Sequence, residues 1–195
     1  MKSLCVYCGS ASGIAPAYAA GAREMARVLV ERNISLVYGG GKVGLMGAIA
    51  DEVMRLGGQV TGVIPTALME MEVGHHGLTQ LHVVANMHER KALMAELSDG
   101  FIAMPGGIGT LEELFEVTTW AQLRLHDKPI GILNIDGYYD GLLSFVRQMT
   151  AQGFLKEKHA DLLMVESTPA ALLGRFAAFE AQAHDTALNR VRTQG

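Results

Sequence analysis

The stretch Phe101-Ile102-Ala103-Met104-Pro105-Gly106-Gly107-Ile108-Gly109-Thr110-Leu111-Glu112-Glu113 joins an apolar run to a helical pattern through a glycine-rich turn. Asp99-Gly100 punctuates its start, and Phe101 to Met104 has the length and composition of a buried parallel strand. After Pro-Gly-Gly, Leu111, Leu114, Phe115 and Thr118 recur at helical spacing, which predicts a helix starting near Gly109-Thr110 with Thr110 as its N-cap. Such a helix start offers unpaired backbone N–H groups and the positive end of a dipole, and glycines let an anion approach that backbone closely. Glu113 follows Thr110 by about one turn, which sets a carboxylate on the same side as the anion cradle.

Outward from this stretch, apolar runs alternate with helical patterns along all 195 residues. Strands are predicted at Leu4 to Cys8, Ile34 to Tyr38, Val60 to Ile64, Leu81 to Val84, Phe101 to Met104, Ile130 to Asn134 and Leu162 to Val165. Helices are predicted at Ala15 to Glu31, Leu45 to Leu56, Met87 to Leu97, Leu111 to Leu125, Tyr138 to Gln152 and Pro169 to Phe179. This alternation implies an α/β fold: a doubly wound, Rossmann-like parallel sheet with helices on both faces. Residues 1–180 read as one nucleotide-binding domain and 181–195 as a weakly structured tail that frays or packs on a partner.

Ligands of such sheets bind at the carboxyl ends of the strands, where Gly9-Ser10-Ala11-Ser12-Gly13 and a second glycine cluster also fall. That cluster, Tyr38-Gly39-Gly40-Gly41-Lys42-Val43-Gly44-Leu45-Met46-Gly47, again sits between a strand and a helix. It matches G-x-G-x-x-G through Gly39, Gly41 and Gly44. The match follows the second strand rather than the first, and the next strand ends at Pro65 with no acid for a ribose hydroxyl, so a dinucleotide is excluded. A Walker loop is excluded as well, because Val43 follows Lys42. Two phosphate-type turns without a dinucleotide fingerprint point to a mononucleotide, with Gly40 and Gly41 as further phosphate contacts.

Net charge is −4 and composition is that of an ordinary soluble domain, which implies neither nucleic acid nor membrane as partner. Met1 to Tyr7 enters a strand at once, so no signal peptide is read and a cytoplasmic location is expected. Cys5 and Cys8 form C-x-x-C, but residues three apart on a strand point to opposite faces and no second ligand pair follows. Burial is expected of both, and His75-His76 likewise lack further metal ligands; no metal is predicted.

Asn86-Met87-His88-Glu89-Arg90-Lys91 opens the helix after the fourth strand, with Asn86 as cap. Arg90 and Lys91 near a positive helix end oppose the dipole, which calls for an anionic partner. Pro65 to Gly74 reads as a helical turn over the crevice, from which Glu70 or Glu72 could reach a ligand. Trp120 and Leu123 continue the stripe of the motif helix as core or interface residues.

Pro105 to Glu113 resembles the PGGxGTxxE motif of the LOG ("Lonely guy") family, cytokinin-activating phosphoribohydrolases once mislabelled lysine decarboxylases. Further blocks look similar across nearly the whole chain: Gly39-Gly40-Gly41 with Gly44 to Gly47, Met87-His88 with Arg90-Lys91, Trp120 to Leu123 with His126 to Pro129, and Asn134 to Tyr139. The resemblance implies hydrolysis of the N-glycosidic bond of N6-modified adenosine 5′-monophosphates, and often of AMP, releasing base and ribose 5-phosphate. It implies a homodimer and no cofactor. By motif position it assigns Arg90 and Glu113 as the catalytic pair, and Glu72, Lys91, Gly107, Ile108, Gly109, Thr110, Leu111, Glu112 and Thr119 as substrate-binding residues. The loop around Glu72 matches least well. The alternatives are an AMP nucleosidase without cytokinin preference and a non-catalytic nucleotide-binding or carrier protein. A decarboxylase would need pyridoxal phosphate on a Schiff-base lysine, and neither Lys42 nor Lys91 has a visible partner set for one.

Overall fold

The computed structural model describes residues 1–69, 71 and 74–193, with side chains described as far as 182. Strands β1 (Ser3–Tyr7), β2 (Ser35–Tyr38), β3 (Val60–Pro65), β4 (Gln80–Val84), β5 (Phe101–Ala103), β6 (Ile130–Leu133) and β7 (Leu163–Glu166) form one sheet in the order β4-β3-β2-β1-β5-β6-β7. Every pairing is parallel. The helices are α1 (Pro16–Glu31), α2 (Gly44–Arg55), α3 (Thr66–Met69), α4 (Met87–Glu96), α5 (Ile108–Gln122), α6 (Asp140–Ala151), α7 (Glu157–Ala160) and α8 (Pro169–Thr193). The predicted doubly wound sheet is therefore observed.

The period-two alternation of the strands sorts their side chains onto two cores. Leu4, Val6, Cys8, Leu36, Tyr38 and Ile102 pack under α1, α2 and α8, whereas Cys5, Tyr7, Val37, Phe101 and Ala103 pack under α4, α5 and α6. Cys5 and Cys8 thus lie on opposite faces, both free and buried. Phe101 is fully buried beneath α5, and its truncation to alanine would cost about 3–5 kcal/mol.

Most ends shift by a residue or so, and α5 stops at Gln122 rather than Leu125; three differences have a clear physical reason. Helix α5 begins at Ile108 with extended Gly107 at its N-cap, not at Thr110. Thr110 is buried in the first turn, and a Cβ at Gly106 would run into its hydroxyl, so packing rather than capping places it. The sixth helix is preceded by a 3-10 turn over Ile135–Gly137, in which Asp136 and Gly137 are left-handed, at φ 53° and 67°. Asn134 Oδ1 accepts from the Tyr139 N–H at 2.7 Å and fixes that turn. Helix α8 continues to Thr193, past Phe179 where its apolar stripe ends.

The strand order reverses between β1 and β5, which opens the crevice at their carboxyl ends. The loops after these strands touch there: the Gly9 N–H donates to the Pro105 carbonyl at 3.0 Å. No helix among the described residues is long and apolar enough to cross a membrane.

Candidate active site

Beside the touching loops lies a cleft of about 270 Å³, walled by Gly9 and Ser10, by Met46 and Met87, by the turn from Gly107 to Thr110, and by Arg90, Glu112 and Glu113. Two helices bring its charges together. The fourth helix is started by Asn86, whose Oδ1 accepts the Glu89 N–H at 2.9 Å, while the Glu89 carboxylate accepts the Ala85 N–H at 3.0 Å. This reciprocal cap holds the helix end so that Arg90 and Lys91 point inward, both under 10% exposed.

The two cations meet different partners. Arg90 Nη2 donates to the Gly39 carbonyl at 3.0 Å and Nη1 makes a long contact with Met87 Sδ at 3.7 Å. Its buried Nε has no partner among the described residues. A buried guanidinium N–H left unpaired costs on the order of 1–3 kcal/mol, which an acceptor in the cleft would recover. Lys91 Nζ instead lies 2.5 Å from Glu112 Oε1 and 2.9 Å from Glu116 Oε1. The anion that opposes the dipole for Lys91 is thus intramolecular.

Glu113 lies partly buried at the cleft wall. Burial pushes its carboxyl up to about 7; Arg90 pulls it down, Glu112 pushes it up, Lys91 lowers it and Glu116 raises it. A carboxyl so tuned exchanges its proton near neutrality, the range in which acid–base groups work best.

The N–H groups of Ile108, Gly109 and Thr110 donate to no acceptor among the described residues. Cβ atoms built at Gly107 and Gly109 would meet nothing within 4 Å. The start of this 15-residue helix is therefore an open cradle, as the sequence predicts.

The second glycine cluster behaves differently. The Leu45 and Met46 N–H groups at the start of α2 donate to the Gly9 carbonyl at 3.0 and 3.3 Å, so that helix end is already satisfied. Gly40 accepts from the His75 N–H at 3.1 Å and Gly41 pairs with Gly74; neither lines the cleft. The contribution of this turn comes through Gly39 and its hold on Arg90.

Arg90, Glu112, Glu113 and the Gly107 to Thr110 turn share the cleft, and Lys91 joins it through Glu112. Leu111 and Thr119 stand apart, on the outer face of α5, in a shallow groove with Ile108, Phe115, Glu116 and Trp120. The Thr119 hydroxyl donates to the Phe115 carbonyl at 2.7 Å. Glu72 lies outside the described residues.

Sequence reasoning gives no site role to Glu116, Ser10, Met46 or Met87. Glu116 could have been found, since it follows Glu112 by four residues on a predicted helix. Ser10 sits in the first glycine turn, already placed at this edge. The methionines carry no local signal. Among the described residues, no group of three or more His, Cys, Asp or Glu is arranged to hold a metal ion.

The sequence profile of the family described as "Possible lysine decarboxylase" matches residues 46–176. The "Probable cytokinin riboside 5'-monophosphate phosphoribohydrolase LOGL6" of Oryza sativa subsp. japonica is 46% identical over 98% of this chain and 76% of its own length. The "Cytokinin riboside 5'-monophosphate phosphoribohydrolase LOG5" of Arabidopsis thaliana is 46% identical over 92% of this chain and 78% of its own. Among solved structures, the Moco carrier protein from Chlamydomonas reinhardtii superposes with a TM-score of 0.70 over 93% of this chain and 98% of its own, at 19% identity, which extends to the fold alone. Matches of this extent to the phosphoribohydrolases, joined to an unbroken PGGxGTxxE stretch at the mouth of the crevice, place the chain in the LOG family.

Proposed function

We propose that this chain is a hydrolase of the N-glycosidic bond of cytokinin riboside 5′-monophosphates, that is, of N6-modified AMP, and that it also accepts AMP. The observation that carries this reading is the meeting, in one cleft, of an open helix-start cradle, a buried arginine whose Nε is unpaired among the described residues, and a glutamate poised near neutrality.

The 5′-phosphate is held by the N–H groups of Ile108, Gly109 and Thr110, with the cleared space at Gly107 and Gly109 admitting its oxygens. The cradle anchors the nucleotide so that its ribose lies against Glu113. As the C1′–N9 bond lengthens, positive charge develops on the ribose, and the ionised Glu113 stabilises it or takes a proton from the attacking water. The water oxygen bonds to C1′ as the C1′–N9 bond breaks; one water proton stays on the new C1′ hydroxyl, and the other, lost to Glu113 and then to solvent, balances the proton that the departing base takes up from solvent. Arg90, fixed by Gly39, orients the carboxylate and the sugar.

A decarboxylase reading requires a lysine free to form a Schiff base. Lys91 is held by two carboxylates and Lys42 is exposed outside the cleft. We further propose that a cytoplasmic homodimer forms across the outer face of α5, bringing Leu111 and Thr119 toward a second copy.

The test is chromatographic detection of free base after incubation with isopentenyladenosine 5′-monophosphate or AMP, with Arg90→Ala and Glu113→Gln as controls. Release by the wild type and its loss in both variants is the expected result. Nucleotide bound without release would overturn the hydrolase in favour of a carrier, and equal turnover of both substrates would remove the cytokinin preference.

A further inference from the structure

His75 and the other described residues of its loop line no part of the cleft wall, yet His75 is 7% exposed and bonded on both ring nitrogens. Nδ1 accepts the Gly77 N–H at 3.2 Å, which leaves the ring proton on Nε2, and Nε2 donates to Asp51 Oδ1 of α2 at 2.8 Å. The ring is thus a two-ended clip between its own loop and a helix. The backbone beside it is attached to the glycine turn after β2: the His75 N–H meets the Gly40 carbonyl at 3.1 Å, and Gly74 pairs with Gly41 in an antiparallel bridge.

The far side of that turn touches the active site. The Gly39 carbonyl is the acceptor for Arg90 Nη2, and a Cβ at Gly39 would collide with that same nitrogen, so the guanidinium lies against the turn backbone. Gly40 is left-handed, at φ 77°, and packs on Ile64, while α2 is tied to the Gly9 loop through Leu45 and Met46. The turn carries no side chains to hold itself in place. Its position is set by what grips its backbone, and His75 with Gly74 grips it opposite Arg90.

We infer that His75, clipped to Asp51, is a positioning residue that fixes the Gly39–Gly41 turn and thereby the Arg90 guanidinium. The carbonyl of Gly39 is the one oxygen acceptor of Arg90 among the described residues, so a turn released from His75 lets the guanidinium swing. A displacement of about 1 Å in such a group is enough to slow chemistry by orders of magnitude without preventing binding. The catalytic consequence rests on the hydrolase reading above; the positioning itself does not.

Two readouts on the full chain test it. The first is independent of activity: the rate at which phenylglyoxal modifies Arg90, followed by peptide mass spectrometry. We expect His75→Ala to label Arg90 at least about threefold faster than wild type. His75→Gln, whose amide N–H stands where Nε2–H stood, restores the slow rate, and exposed His76→Ala never leaves it. Asp51→Ala removes a side chain that is 63% exposed, opens no cavity and shifts labelling the same way, so the test survives a poorly folding His75 variant.

The second readout is base release. His75→Ala should lose about tenfold in kcat with KM within about twofold, and His75→Gln should recover most of it. Unchanged Arg90 labelling in both His75→Ala and Asp51→Ala would overturn the inference. So would a loss of kcat that tracks melting temperature and is not recovered by His75→Gln. If the wild type releases no base, the hydrolase reading falls, and the labelling rates alone decide the role of His75.

Discussion

Lys91 Nζ of α4 lies 2.5 Å from Glu112 Oε1 of α5, one residue away from Glu113. The contact ties the two helices that carry the cleft's charges, and it sets the charge seen by Glu113: Lys91 lowers its proton affinity, whereas Glu112 and Glu116 raise it. Because Glu113 works ionised, kcat/KM should rise about tenfold per unit of pH below about 7 and level off above it. Replacing Lys91 by Met removes a lowering influence and moves the half-maximal point to higher pH. Glu112→Gln removes a raising influence and moves it to lower pH. A profile of kcat/KM against pH for the three proteins checks this, and an unmoved midpoint would separate Glu113 from the observed titration.

The same carboxyl carries a stability signature. Its folded value of about 7 exceeds the ordinary 4.5, so the folded state binds more protons between these values and stability falls as pH rises through the window. Glu113→Gln escapes this penalty. Denaturant unfolding should show the variant more stable by up to about 3 kcal/mol at pH 8, shrinking to under about 1 kcal/mol at pH 5, while base release drops by on the order of a thousandfold. A wild type as stable as the variant at pH 8 would mean that Glu113 is not strained in the ionised form.

The glycines divide by what surrounds them. At Gly109 a methyl meets no protein atom, so Gly109→Ala should fold as well as wild type or slightly better, being helical, yet narrow the cradle and raise KM about tenfold. At Gly44 the backbone is left-handed, φ 64°, and a Cβ would strike the Ser10 backbone, so Gly44→Ala should lose at least about 2 kcal/mol of stability. Thermal melts beside KM values for AMP distinguish the two outcomes, and a destabilised Gly109→Ala would refute the open cradle.

Much of this was legible locally. Alternating and continuous apolar runs predicted all seven strands, and Asn86 with Glu89 caps α4 as its residue types imply. What was not legible depends on distant neighbours. The turn at Gly39 to Gly47 has the composition of a phosphate loop, but the Gly9 carbonyl, thirty-odd residues away, takes its helix N–H groups. Lys91 near a positive helix end needs an anion, and its anions are Glu112 and Glu116, which only the packing of α4 near α5 supplies. His75 in a polar, Gly-flanked loop has no local mark of burial; Asp51, the partner of its Nε2, is on another element. Leu111 and Thr119 fall within or near the motif by sequence, yet helical rotation turns them to the outer face.

That outer face leads to the last expectation. Ile108 is 82% exposed, Leu123 65% and Leu125 69%, and the groove between Ile108 and Trp120 is mainly apolar. Such a run of exposed apolar side chains along α5 and the turn that follows it is the kind of surface that a monomer rarely presents and a twofold interface buries. Light scattering on the purified chain should give a dimer. Leu123→Glu alters an exposed position, so its melting should be near that of the wild type at matched association state, but a charge facing its own symmetry mate should shift the chain toward monomer. The groove also holds Glu112, one partner of Lys91, so dissociation should lower kcat/KM as well. A wild-type monomer that turns over nucleotide at full rate would show that the outer face of α5 is not part of the site.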